Sequence, residues 1–292
     1  MLKKILGVKT IERLYLELLF KCNFNCVYCY HGERLQWKDH FTLQELMRLI
    51  SLFKQDYYLQ AVTFLGGEPF IYKDLEKAVR LVREAGLRIV IITNGYKIQQ
   101  RLKAVAPFLD ELRVSIDGLE KRHDQLRQEG SFKAALDTLS FAKSIGLATT
   151  VTMTVNEENT HDVLPLSGIL SKYRVQKIDV HCVRPVGGGR AEASSEYQIL
   201  EDEITSRGST LPVPVFFEDE EFHPACLNIK RRRLTEDGVL DRVNLQANGE
   251  IYLSCTYLGS SLNSFFYDKA SGSFQYLGSR GKELEFLGIF TQ

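Results

Sequence analysis

The sequence predicts an α/β protein: a parallel sheet built from six strand–helix units ahead of Gly187, followed by a smaller α+β annex. Three observations carry this expectation. Short apolar runs rich in β-formers alternate with segments whose apolar residues repeat at helical spacing. The turns between them are short and punctuated by glycine, as right-handed crossovers between parallel strands require. The alternation stops at Gly187-Gly188-Gly189, after which prolines and an Asn-Gly pair take over.

Each element has its own signal. Arg13–Phe20 (RLYLELLF) reads as the first strand and runs straight into a cysteine cluster. Thr42-Leu43-Gln44-Glu45 is a capping box opening a helix, with Leu43, Met47 and Ile50 on one face. Ala61–Leu65 is the second strand, ended by Gly66-Gly67. Leu75, Ala78, Val79 and Val82 keep helical spacing until Gly86 stops them. Arg88–Ile92 is the third strand, followed by a helix over Ile98–Val105 with Pro107 beyond it. Leu112–Ile116 is the fourth. Ser131 caps a helix carrying Leu136 and Leu139, which Gly146 closes. Leu147–Val155 is the fifth strand, a helix covers His161–Lys172, and Lys177–Val183 is the sixth strand. A partial barrel and an open sheet both satisfy this pattern.

Past the glycine run, a helix is expected over Ser195–Ser206. Pro212 and Pro214 mark Leu211–Phe217 as an edge or irregular strand. Val243–Ala247 and Ile251–Ser254 flank Asn248-Gly249, a strong hairpin signal. These features divide the chain into a main domain at residues 1–190 and an annex at 191–292.

Composition narrows the function. Of 292 residues, 44% are apolar and 25% charged, as in an ordinary packed globule. Lys plus Arg (37) balances Asp plus Glu (37), which removes any global attraction to nucleic acid or an anionic membrane. One basic cluster, Lys230-Arg231-Arg232-Arg233, reads as a solvated patch. The opening MLKKILGVKT is not a signal peptide, because acids and Arg13 interrupt the apolar stretch that follows. No run reaches the ~20 apolar residues of a membrane span. The expected compartment is the cytoplasm, where thiols stay reduced and six cysteines read as metal ligands or reactive groups.

Three of those cysteines form Cys22-x3-Cys26-x2-Cys29, just after the first strand, where parallel α/β folds place reactive groups. Three thiolates at this spacing can hold three irons of a cubane cluster and leave the fourth iron open for chemistry. The alternative is structural zinc, with His31 as fourth ligand. The run C-N-F-N-C-V-Y-C resembles the radical SAM superfamily signature, CxxxCxΦC with Tyr28 as the aromatic residue. The resemblance implies a partial (β/α)6 barrel with a [4Fe–4S] cluster on Cys22, Cys26 and Cys29. It also implies S-adenosylmethionine (SAM) chelated through its methionine amine and carboxylate to the open iron. One electron, from a low-potential reductant such as flavodoxin or ferredoxin, then cleaves a carbon–sulfur bond and releases a 5′-deoxyadenosyl radical. Tyr28 would pack near the adenine.

Later segments resemble the family at matching positions. Gly66-Gly67-Glu68-Pro69 resembles its segment for the SAM amine, which Glu68 suits as an acceptor. Thr93-Asn94-Gly95 resembles its TNG, and Val114-Ser115-Ile116-Asp117-Gly118 its VSxDG, with Ser115 and Asp117 suited to ribose hydroxyls. His123-Asp124-x-x-Arg127 with Gly130-Ser131-Phe132 resembles a stretch of the peptide-modifying branch, and no catalytic role is carried onto it. Arg184 to Arg190 resembles the family's Pro-x-Gly-Arg segment, with Arg190 a cofactor contact. Its glycine run reads either as a cradle for a carboxylate or adenine edge or as a linker.

Cys182, Cys226 and Cys255 lie outside the signature. Cys255 closes Q-A-N-G-E-I-Y-L-S-C, which resembles the hairpin of SPASM and twitch extensions, where cysteines bind auxiliary clusters. Three readings stay open. The spare cysteines are packed apolar thiols; or they hold a second cluster with an open or non-cysteine fourth site; or one of them, Cys255 before Cys226, donates a hydrogen atom to a substrate radical. The expected activity is hydrogen abstraction from an unactivated carbon of a peptide, giving epimerisation, a crosslink or an oxidation. The stretch before residue 13 is too short for a leader-binding domain, which weighs towards the alternative, a small-molecule epimerase or dehydrogenase acting on an aminoglycoside-type sugar. A non-catalytic iron–sulfur or zinc protein would leave GGEP and VSID without a purpose.

Overall fold

A computed structural model describes residues 2, 6–183, 187–189, 195–207, 210–217, 234–253 and 265–277. β1 (Thr10–Glu17) leads through the cysteine segment to α1 (Leu43–Asp56), and β2 (Tyr58–Leu65) leads to α2 (Leu75–Glu84). β3 (Arg88–Thr93), α3 (Gln99–Val105), β4 (Glu111–Ser115), α4 (Glu120–Leu126) and α5 (Ser131–Ser144) follow. Next come β5 (Thr149–Val155), α6 (Val163–Leu170), β6 (Ile178–Cys182), α7 (Ser195–Arg207) and β7 (Val215–Phe217). β8 (Val239–Leu245), β9 (Glu250–Tyr252), β10 (Phe265–Asp268) and β11 (Ser273–Tyr276) come last. This alternation of parallel strands and helices is the expected α/β class, a partial (β/α)6 barrel. The described strands do not close into a ring.

The chain forms two compact units, one of Met1–Asn23, Glu33–Ile91 and Lys230–Gln292, the other of Phe24–Gly32 and Ile92–Ile229. In the first, the strand order is β11-β10-β9-β8-β1-β2-β3. β1 pairs in parallel with β2 from Thr10↔Tyr58 to Glu17↔Leu65. On its other side β1 pairs in parallel with β8, from Thr10↔Val239 to Leu16↔Leu245. The annex strand therefore covers the edge that β1 would otherwise leave open, and this unit cuts across the division expected at residue 190.

Alternation along β1 buries Leu14 and Leu16 on one face. On the other, the guanidinium groups of Arg13 and Arg242 lie over the Tyr15 ring at 5.9 and 5.5 Å. The capping box of α1 is present: Thr42 Oγ1 accepts from the Glu45 N–H at 3.2 Å, and the Glu45 carboxylate accepts from the Thr42 N–H at 2.7 Å. Its buried face is Leu46, Leu49, Ile50 and Phe53. Met47, expected to point inward, is 52% exposed. The apolar stripe starting at Leu46 recurs at i+3, i+4 and i+7, which leaves Met47 one step off the face.

In the second unit the order β4-β5-β6-β7 follows the chain and all pairs are parallel. β7 is an edge strand just beyond Pro214, as its prolines predicted. The N-cap of α5 differs from expectation. Gly130, with φ of 74°, occupies that position, and Ser131 is the first helical residue. The Asp124 carboxylate takes over the capping, accepting from the Gly130 N–H at 2.7 Å and the Phe132 N–H at 2.8 Å. No helix among the described residues is long and apolar enough to cross a membrane.

Candidate cluster and cofactor site

β1 delivers the chain to the cysteine segment through Leu18, Leu19 and Phe20, all buried. Cys22 belongs to the first unit, and Cys26 and Cys29 to the second. All three are half-buried thiols outside any disulfide among the described residues. The segment turns tightly: the Cys29 N–H donates to the Cys26 carbonyl at 3.1 Å, and the Gly32 N–H to the Cys29 carbonyl at 3.0 Å. Burial pushes the Cys26 thiol up to about 11, with the negative Asp117 and Cys29 adding to the rise and Arg127 opposing it. A buried thiolate therefore lacks enough positive charge here, which is what iron supplies. Three thiols at this spacing along the chain have the donor chemistry that a cubane cluster takes. Among the described residues no three Cys, His, Asp or Glu side chains converge on one metal-sized point.

Asp117 is the centre of the second unit's polar core. It is fully buried at the end of β4. Its carboxylate accepts from the Thr154 N–H at 2.8 Å, from the Tyr28 hydroxyl and from Arg127 Nε. Its own N–H donates to His123 Nδ1 at 3.0 Å, and its carbonyl accepts from Asn159 Nδ2 at 3.0 Å. The Asp117 carboxylate, expected to suit ribose hydroxyls, also accepts from the chain's own donors. Ser115, its expected partner, has its hydroxyl 3.3 Å from that of Thr152.

The HDxxR run, to which the sequence assigned no role, is thereby explained. His123 and Arg127, four apart at the end of α4, both face Asp117, while Asp124 caps α5. Burial and the neighbouring Arg127 push His123 down to about 3, so it is neutral. With Nδ1 accepting, the proton sits on Nε2, which is buried and has no hydrogen-bond partner among the described residues. Arg127 is held above its ordinary value: burial opposes its charge, and Asp117 outweighs that opposition. Its guanidinium also lies 5.9 Å from the Tyr28 ring centroid. The i, i+4 spacing of His123 and Arg127 directly after an Asp-Gly turn was the available signal.

Gly66-Gly67-Glu68 is fitted to the strand leading into Cys22. A Cβ on Gly66 would overlap the Leu19 carbonyl, and one on Gly67 the Lys21 carbonyl. The Gly67 N–H donates to Leu19 O at 2.8 Å and the Glu68 N–H to Lys21 O at 3.1 Å. Glu68 is almost fully buried, and its carboxylate accepts from the Phe70 N–H at 2.9 Å, capping a short turn in which Pro69 is the first residue. Asn94 Oδ1 accepts from the Tyr96 N–H at 2.9 Å, and Thr93 Oγ1 from the Gly95 N–H at 3.0 Å, so TNG forms a turn after β3.

The glycine run lies against the cysteine segment. The Gly188 N–H donates to the Cys29 carbonyl at 2.8 Å. A Cβ on Gly187 would overlap the Cys29 and Tyr30 carbonyls, and one on Gly188 would come within 2.6 Å of the Val27 carbonyl. Cys182 is a buried thiol at the end of β6. Arg190, Cys226, Cys255 and the Lys230–Arg233 cluster lie outside the described residues.

Known proteins share both the sequence and the fold. Fe-coproporphyrin III synthase from Methanosarcina barkeri is 28% identical over 187 residues, 62% of this chain and 46% of that protein. The chain thus spans less than half the length of that relative. GTP 3′,8-cyclase from Clostridium botulinum is 24% identical over 296 residues, covering 89% of this chain and 91% of its own. SuiB from Streptococcus suis, in a crystal structure bound to its precursor peptide SuiA, superposes on 100% of this chain and 67% of its own, with a TM-score of 0.71 and 16% identity. The family model described as the radical SAM superfamily matches residues 16–166, more than half of the chain. The chain belongs to the radical SAM superfamily, enzymes that work with a [4Fe–4S] cluster and S-adenosylmethionine.

Proposed function

We propose that this protein cleaves SAM reductively and removes a hydrogen atom from an unactivated carbon of a peptide. The observation that carries the peptide is the likeness to SuiB, which runs the length of the chain and was seen with a precursor peptide bound. When bound, cluster and SAM together supply a 5′-deoxyadenosyl radical. The protein's part is to hold and orient them: Cys22, Cys26 and Cys29 as ligands, and Gly66, Gly67, Glu68, Pro69, Asn94, Ser115, Asp117 and Arg190 as contacts to SAM, beside the ring of Tyr28. A low-potential reductant such as flavodoxin or ferredoxin supplies the electron. Cys255, then Cys226, are the candidate hydrogen donors, and with Cys182 they are also the candidate ligands of a second cluster.

A small-molecule substrate is the second reading. It is supported by the sequence match to GTP 3′,8-cyclase, which extends over 89% of this chain. Anaerobic reconstitution followed by mass spectrometry for 5′-deoxyadenosine tests the shared chemistry. The wild-type chain with SAM and reductant should form it, and the Cys22/Cys26/Cys29 triple alanine variant should not. Formation by that variant would overturn the cysteine assignment. Faster formation with a peptide encoded beside the gene than with GTP supports the first reading, and the reverse supports the second. Iron beyond four per chain, lost in Cys255→Ala, would make Cys255 a ligand. Full iron with a product stalled after hydrogen abstraction would make it the donor.

A further inference from the structure

The two residues between the second and third signature cysteines, and the third cysteine itself, are each tied to a different element. The Val27 N–H donates to the Leu126 carbonyl at the end of α4, at 3.1 Å. The Tyr28 hydroxyl donates to the Asp117 carboxylate. The Cys29 carbonyl accepts from the Gly188 N–H at 2.8 Å. Behind Tyr28, Asp117 cannot yield: it is fully buried and held by Thr154, Arg127, His123 and Asn159. Behind Cys29, the glycine run approaches so closely that only glycine fits. A Cβ on Gly188 would meet the Val27 carbonyl at 2.6 Å, and one on Gly32 would meet Gly187 Cα at 3.0 Å. Backbone here packs on backbone, with no side chain between.

We propose that Asp117, acting through Tyr28, and Gly187-Gly188, acting on the Cys29 carbonyl, are positioning residues. Together they form a latch that keeps the Cys26–Tyr30 segment in its cluster-holding conformation. The proposal rests on the superfamily reading of the cysteines and gives Asp117 and the glycine run a task other than contacting SAM. A cysteine that lets go of iron in an ordered segment stays within reach and rebinds. In a loosened segment it must first recover its conformation, and the cluster is lost.

The test uses the reconstituted full chain without SAM, so that an adenine contact by the Tyr28 ring is not read. Tyr28→Phe keeps the aromatic ring and removes the hydroxyl, and Gly188→Ala inserts the Cβ. Gly168→Ala, where a Cβ meets nothing within 4 Å, is the control. Iron per chain, iron release to a chelator, the electron paramagnetic resonance spectrum of the reduced cluster and the melting temperature of the apo-protein are measured. Tyr28→Phe should release iron roughly tenfold faster or more, as expected for losing a hydrogen bond to a charged group, and Gly188→Ala should also release it faster, because the added Cβ pushes the glycine run off the Val27 and Cys29 backbone. Their spectra should shift, with apo-protein melting lowered by less than the change in iron release accounts for, and Gly168→Ala, inside α6, should match wild type in iron release and spectrum. Wild-type release rates and spectra in both variants would overturn the latch. So would faster release matched by an equal loss of apo-protein stability, since that reports general unfolding. A wild-type chain that takes up no iron sinks the cysteine reading itself, and the latch with it.

Discussion

Asp117 and Arg127 form a buried ion pair whose two charges depend on each other. Removing the negative partner leaves a buried guanidinium without compensation, which costs about 3–5 kcal/mol in such pairs. Asp117→Asn should therefore lower apo-protein stability by that order in denaturant unfolding. Adding Arg127→Met should recover part of the loss, and strict additivity of the two would show that the charges are not coupled. His123 brings a pH dependence of defined sign. Its value is about 3 in the folded chain against 6.5 ordinarily, so between those limits the unfolded chain binds more protons. Stability is then complete above pH 6.5 and falls as the pH drops towards 3, by at most about 1.4 kcal/mol per pH unit from this group. His123→Asn keeps an acceptor for the Asp117 N–H and does not titrate. Its stability should fall less steeply with acid than that of the wild type, and identical acid limbs would assign the loss to carboxylates instead. None of this was legible at Asp117. An Asp-Gly pair reads as a turn with a free carboxylate, and only the fold brings Thr154 and Tyr28 to it.

Elements whose signals are local were read correctly, and those set by distant contacts were not. The capping box of α1 is a dialogue between Thr42 and Glu45, three residues apart, and both of its hydrogen bonds are present. Thr42→Ala should cost about 1 kcal/mol, typical of a lost N-cap, visible as a lower urea midpoint with an unchanged slope. A cost near zero would mean that the surrounding packing alone holds this helix end. The α2 stripe Leu75, Ala78, Val79, Val82 is likewise buried as its spacing required. In α5 the serine was the obvious cap by residue type, but the positive φ at Gly130 and the carboxylate of Asp124 replace it. That substitution depends on how α4 ends. The hairpin after β8 shows the same limit. Its strands stop at Leu245 and Glu250, so the turn spans four residues, because the Gly249 N–H bonds back to the Gln246 carbonyl at 2.9 Å.

At the scale of the molecule, the order of the parallel strands followed from their order along the chain, whereas the return of β8 to β1 did not. Nothing in a seven-residue strand announces that Val239 will pair with Thr10, because register across so long a separation is set by which edge remains open. β1 carries the first strand of the barrel into the cysteine segment, so whatever covers its edge also supports the approach to Cys22. Leu240, Val243 and Leu245 of β8 are fully buried, as are Tyr252 of β9 and Phe265 and Tyr267 of β10. A fragment of residues 1–190 would expose the whole β1 edge and the apolar surface these residues cover, which marks an aggregation-prone sheet edge. The fragment should therefore be insoluble, or should bind a hydrophobic dye and melt without cooperativity, while the full chain melts in a cooperative transition. A soluble fragment with a sharp transition near that of the full chain would show instead that the barrel is complete without β8.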